Sequence, residues 1–102
     1  MLIGYNNDVE YRGKKFHIQT EDHGRDDPRI ESQIFHEGQI LDTEIVNYQD
    51  VLEESDGETG EHKLKWLMWA AHKGMYRNLM SGEYDTVVGV EPIDDAEAVA
   101  AR

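Results

Sequence analysis

His17, Glu21 and His23 are the residues best suited by type and spacing to chemistry here. On a strand, His17, Gln19 and Glu21 alternate onto one face, so two of them can share an ion with His23 from the loop that follows, and His36 is a further candidate. No HExxH or His-x-His spacing supports that site, and the same residues read more simply as the wet face of an acidic protein. His62 and His72 point in similar directions on a helix but stand three turns apart, too far to chelate one ion. The acids Glu21, Asp22, Asp26 and Asp27 lack the alternating oxygens and closing glutamate of a calcium loop. Glu10, placed opposite His17, makes a carboxylate–imidazole pair of the weak surface kind. The serines are Ser32, Ser55 and Ser81, none in a nucleophile elbow, and cysteine is absent. There is no phosphate-binding loop or dinucleotide fingerprint. These residues predict neither catalysis, nor a cofactor, nor a resident metal; His17, Glu21 and His23 remain the weak metal or small-ligand candidates.

The elements that must position these groups read as two hairpins and a helix. In the first, a turn at Gly13-Lys14 sets Tyr11 against Phe16 and Val9 against Ile18 on one face, with Glu10 against His17 and Asp8 against Gln19 on the other. Asp22 to Arg29, with Gly24 and Pro28, is a loop. In the second hairpin a turn at Glu37-Gly38 pairs Ile34 with Leu41, Ser32 with Thr43 and Ile30 with Ile45 on the mostly apolar face. Gln33–Asp42, a like-charged Glu31–Glu44 pair, and Phe35–Ile40 beside the tip fall on the other. Residues 48–54 suit a helical turn or two that tucks Val51 and Leu52 under the sheet edge.

The longest periodic stretch is Glu61 to Gly82. Leu64, Leu67, Met68, Ala71, Met75 and Leu79 make one stripe at helical spacing, and Trp66, Trp69, Tyr76 and Met80 make a second on the opposite side. One stripe covers a sheet; the second needs cover from the rest of the chain or from another molecule. Thr59 suits the N-cap, Gly82 the C-terminal glycine cap, and Gly74 is a tolerated interior glycine. Tyr84 to Val90 alternates enough to add a fifth strand. The acidic, alanine-rich 92–102 is expected to be a flexible tail, leaving 1–91 as a single domain.

Phe16-His17-Ile18-Gln19-Thr20-Glu21-Asp22-His23-Gly24, followed by Ile34-Phe35, Gly38, Tyr48 and a helix ending Leu79-Met80-Ser81-Gly82-Glu83-Tyr84-Asp85, resembles a group of small bacterial proteins. These carry an FHxQTEDxG-type signature and a C-terminal helix with His-Lys pairs, matched here by His72-Lys73. The resemblance spans roughly residues 9–85 and implies a self-contained bacterial domain; it brings no activity and no catalytic residue.

The formal charge of −12 comes from 22 acids and 10 bases, and it repels phosphate backbones and anionic lipid. It is uneven: 61–82 holds four bases and one acid, while the rest of the chain holds six bases and 21 acids. No apolar run approaches the ~20 residues of a membrane span, and the first ten residues lack the pattern of a secretory leader. With no cysteine, the expectation is a cytoplasmic protein.

The fold class expected is α+β, a four-stranded antiparallel meander of two hairpins packed against one long C-terminal helix. The function expected is a non-catalytic protein-interaction module, an adaptor or scaffold. It associates with a protein partner or as a homodimer through Trp66, Trp69, Tyr76 and Met80, and Phe35 and Ile40 offer a second patch. Two alternatives stand beside it. One is an acidic nucleic-acid mimic that occupies a basic site on a DNA-binding protein. The other is a small-ligand or metal binder at His17, Glu21 and His23.

Overall fold

A computed structural model describes residues 4–54 and 57–90. Strands β1 (Tyr5–Tyr11), β2 (Lys14–Asp22), β3 (Arg29–His36) and β4 (Gln39–Asn47) form one antiparallel sheet in the order β1-β2-β3-β4. Helix α1 (Gln49–Glu54) follows, then α2 (Gly57–Met80), which lies across β1, β2 and β3. The α+β meander under a long helix is therefore the fold. The tail from 92 lies outside the described residues.

Both hairpins turn on two residues with positive φ, Arg12 (50°) with Gly13 (79°) and Glu37 (51°) with Gly38 (79°). This is the type I′ geometry whose twist matches that of paired strands. The second turn is where the sequence places it; the first lies one residue earlier than expected. Tyr11 pairs with Lys14, Val9 with Phe16 and Asp8 with His17, so Glu10 faces Lys15 rather than His17. The slip leaves the faces intact, because a change of two in the paired positions preserves strand parity. Tyr11 and Phe16 become diagonal neighbours, their rings 6.3 Å apart. Arg12, a non-glycine residue in the left-handed region, carries a penalty of about 1–2 kcal/mol. Its guanidinium reaches the buried carboxylate of Asp85 at 3.2 Å, a contact that offsets the strain.

In β4 the outcome departs further. Phe35 pairs with Ile40, as expected, but the next rung joins Ile34 to Asp42, so Leu41 is an extra residue. Such a bulge exchanges the faces of every residue beyond it. Val46, not Ile45, comes opposite Ile30, and Ile45 is left outside at 56% exposure, beside Glu31. The expected Glu31–Glu44 repulsion disappears, because Ser32 faces Glu44 and the Glu31 carboxylate meets His23 and Arg29 at 3.3 and 3.6 Å.

The core lies between the sheet and α2 in two clusters. Tyr11, Phe16, Ile18 and Ile34 pack against Met75, Leu79 and Tyr84 at one end. Ile30 and Tyr48 pack against Leu64 and Met68 at the other, with Val51, Leu52, Leu67 and Ala71 around them. The first stripe of α2 is thus the core stripe. Thr59 stands inside the first turn of α2 instead of capping it. Gly82 (φ 88°) ends the helix: its N–H bonds the Leu79 carbonyl, and the Glu83 N–H reaches back to that of Asn78.

Residues 81–89 form consecutive turns and not a fifth strand. Buried Tyr84 and Asp85 hold this segment down. The Tyr84 hydroxyl donates to Asp42 at 2.7 Å, and burial followed by that carboxylate raises its pKa. Only the bulge at Leu41 turns Asp42 toward it.

Candidate functional site

The strands separate the residues with chemical potential. The His17 ring meets Asp8 at 2.9 Å and Asn6 at 3.2 Å on the open face of the sheet. Glu21 accepts from Gln19 at 2.8 Å on that face, and His23 turns to Glu31. His36 lies over Phe16, ring centroids 4.8 Å apart, and its Nδ1–H donates to the Lys15 carbonyl. The structure thus gives each of the weak metal candidates its own partner, and among the described residues no three His, Asp or Glu side chains gather into a possible metal site. Asp22, the sequence neighbour of His23, is buried and accepts from the Tyr48 hydroxyl at 2.5 Å and from the Gly24 N–H at 2.9 Å. That carboxylate pins the 23–28 loop and adds to the burial that raises the Tyr48 pKa.

The imidazole that does organise its surroundings is His72. Its Nε2 lies 2.7 Å from Asn7 Oδ1, and its Nδ1 lies 2.8 Å from Thr20 Oγ1, which is 2.7 Å from Ser32 Oγ. With the proton on Nε2, Ser32 donates to Thr20, Thr20 to His72 and His72 to Asn7. Burial, and secondarily the charge of His17, lowers the His72 pKa and favours this neutral form. The hydroxyl, imidazole and amide follow the order of a nucleophile, its base and an orienting group. Thr20 is, however, fully buried, so no substrate reaches its hydroxyl. The chain of bonds satisfies two hydroxyls in the core and ties α2 to β1, β2 and β3. Sequence periodicity missed it because His72 stands between the two stripes; its one signal was a threonine on the apolar face of β2.

The outer stripe of α2 remains open. Trp66 is 64% exposed, Trp69 49% and Tyr76 43%, whereas Met80 folds in against the core. Lys73 extends its ammonium over the Trp69 ring, 4.6 Å from the centroid, a cation–π contact. Beside Trp69 and Tyr76 a cavity of about 280 Å³ opens, floored by Ile18, Asn7 and His72. It falls just below the roughly 300–1,000 Å³ usual for small-molecule pockets and suits a single inserted side chain.

Phe35 and Ile40 face each other at the second rung from the β3–β4 turn, where Ile40 is 54% exposed. Phe35 there flanks a cavity of about 460 Å³ on the open sheet face, with Asp8, Glu10, Lys15, His17 and Glu37 around it. Across that face the acids are interrupted by Gln33, Thr43 and Ile45, and Asp8 and Glu31 already meet bases.

The fold and this surface define a two-layer α+β domain whose helix carries an aromatic face left exposed among the described residues. No protein family, curated protein or solved structure matches the chain. No helix among the described residues is long and apolar enough to cross a membrane.

Proposed function

We propose that the chain is a non-catalytic protein-interaction module, an adaptor or scaffold of the cytoplasm, that associates through Trp66, Trp69 and Tyr76, with Met80 at the edge. Its partner is another protein or a second copy, and Phe35 with Ile40 gives a smaller second contact. The observation that carries this reading is the exposure of both indoles on an ordered helix. Burying the remainder of each on association removes about 120–160 Å² from water, or at most ~3–4 kcal/mol apiece. Tryptophan and tyrosine are also the types that dominate interface energetics. A catalytic reading finds less support, since the Thr20 hydroxyl bonded to His72 is fully buried, although the imidazole itself borders the cavity beside Trp69. An acidic mimic requires an unbroken array of carboxylates, and the open sheet face intersperses apolar and amide side chains among its acids.

The test is the double variant Trp66→Ala/Trp69→Ala, compared with the parent by light scattering and by pulldown. A lower mass or the loss of a retained partner is expected. A folded variant with the same mass and the same partners removes the proposal.

A further inference from the structure

Seen along α2, the outer stripe has a register. His62, Trp66, Trp69, Lys73, Tyr76 and Met80 recur at alternating intervals of four and three, the spacing of a coiled-coil seam. Such a seam packs against another helix more readily than against a sheet or loop. Lys63 and Arg77 border it on one side and Lys65 on the other, all exposed; the acids of α2, Glu58 and Glu61, lie in its first two turns, N-terminal to Trp66, Trp69 and Tyr76. None of the ion pairs among the described residues uses Lys63, Lys65 or Arg77.

Those flanks discriminate between occupants. An antiparallel pair that sets Trp66 against Tyr76 of a second copy brings Lys63 beside Arg77 of that copy, twice by symmetry. A parallel pair stacks Lys73 on Lys73. Either self-pairing places like charges where coiled coils place complementary ones. The screening length of about 8 Å at physiological salt means that a docked helix responds to this local basic border more than to the distant acids of the sheet.

We infer that the outer seam of α2 receives an amphipathic helix of a different protein, one whose apolar seam is bordered by Asp and Glu and which seats one apolar side chain in the cavity between Trp69 and Tyr76. The inference rests on the association reading above and adds to it the class of partner.

Two synthetic peptides of about four heptads test it, with the same leucine seam but bordered by Glu in one and by Lys in the other. The chain has two tryptophans, both on this surface, so its emission reports docking directly. The Glu-bordered peptide is expected to shift the emission to the blue and to bind about tenfold more tightly, as three flank pairs of ordinary strength multiply. That preference shrinks in about 1 M salt, where the screening length is about 3 Å. It reverses in Lys63→Glu/Lys65→Glu/Arg77→Glu, whose fold is checked by circular dichroism. Equal affinities, a preference for the Lys peptide, no binding of either, or a stripe-dependent homodimer in sedimentation each overturns the inference. Calorimetry on Trp66→Ala/Trp69→Ala separates the two levels. If binding is lost there while the peptides are not distinguished, association through the seam stands and the acidic-helix partner falls. If the variant binds the Glu peptide undiminished, both fall.

Discussion

Trp66→Ala and Met75→Ala, each made in the whole chain, distinguish a side chain kept for contact from one kept for folding. Trp66 is 64% exposed, so only about 90 Å² of its roughly 250 Å² is covered, worth at most ~2 kcal/mol. A compact denatured state already hides part of that area, and alanine regains about 0.5 kcal/mol of helix propensity. The net change expected for the monomer is a loss of about 1 kcal/mol or less. Met75 has no exposure and touches both the sheet and Tyr84. Its truncation leaves a cavity in packed surroundings and is expected to cost about 2–5 kcal/mol. Urea denaturation followed by circular dichroism reads both, at several protein concentrations so that any association is recognised by mass action. If Trp66→Ala destabilised a dilute monomer as much as Met75→Ala, the indole would be a core residue and the reasoning from exposure would fail.

Gly82→Ala places a Cβ about 2.8 Å from Asp85 Oδ2 at a φ of 88°, and a loss of ~1–2 kcal/mol or more in thermal unfolding is expected, larger than for Gly74→Ala, where a Cβ meets open space. Tyr48→Phe removes the donor to buried Asp22 and should cost about 1.5–3 kcal/mol by urea denaturation; no change would mean that the carboxylate had found water. His72 is harder to protonate folded than unfolded, so the unfolded chain takes up the proton first. Stability is then greatest above the ordinary histidine pKa of about 6.5 and declines as pH falls below it. His72→Gln should flatten that decline in a pH series of melting curves, and an unaltered slope would assign it to other groups.

What was legible in the chain was whatever depends on parity and period. The apolar face of the first hairpin survived a mistaken turn because the true pairing differs from the expected one by two positions, and the core stripe of α2 followed from its spacing. What was not legible depends on contacts between distant residues. Leu41 is extra only because Phe35 and Ile34 must both pair, and alternation in ILDTEIV fits either phase, so Ile45 looked inward and Asp42 outward. Tyr84 to Val90 alternates like a strand, but the Tyr84 hydroxyl is committed to Asp42, some forty residues earlier. His72 carried no local mark of its bonds to Asn7 and Thr20. Of the outer surface, the stripe was legible as composition; the inward lean of Met80 and the cavity beside Trp69 required the path of β1 and β2 under the helix.

A two-layer domain has two outward faces, and here they are treated differently. The open face of the sheet presents few apolar side chains, the Phe35–Ile40 pair at one end and Ile45 further along, among acids and amides that discourage a second sheet from settling there. The outer face of α2 does the reverse: it aligns Trp66, Trp69 and Tyr76 in one row, with Lys73 among them, and sets Lys63, Lys65 and Arg77 along the borders. Random surface drift does not require that the residues with the largest apolar area share a single helical phase. Lys73 joins that row, its ammonium lying over the Trp69 ring. The asymmetry between the two faces, more than the exposure of any one residue, is what supports the proposed second neighbour of α2.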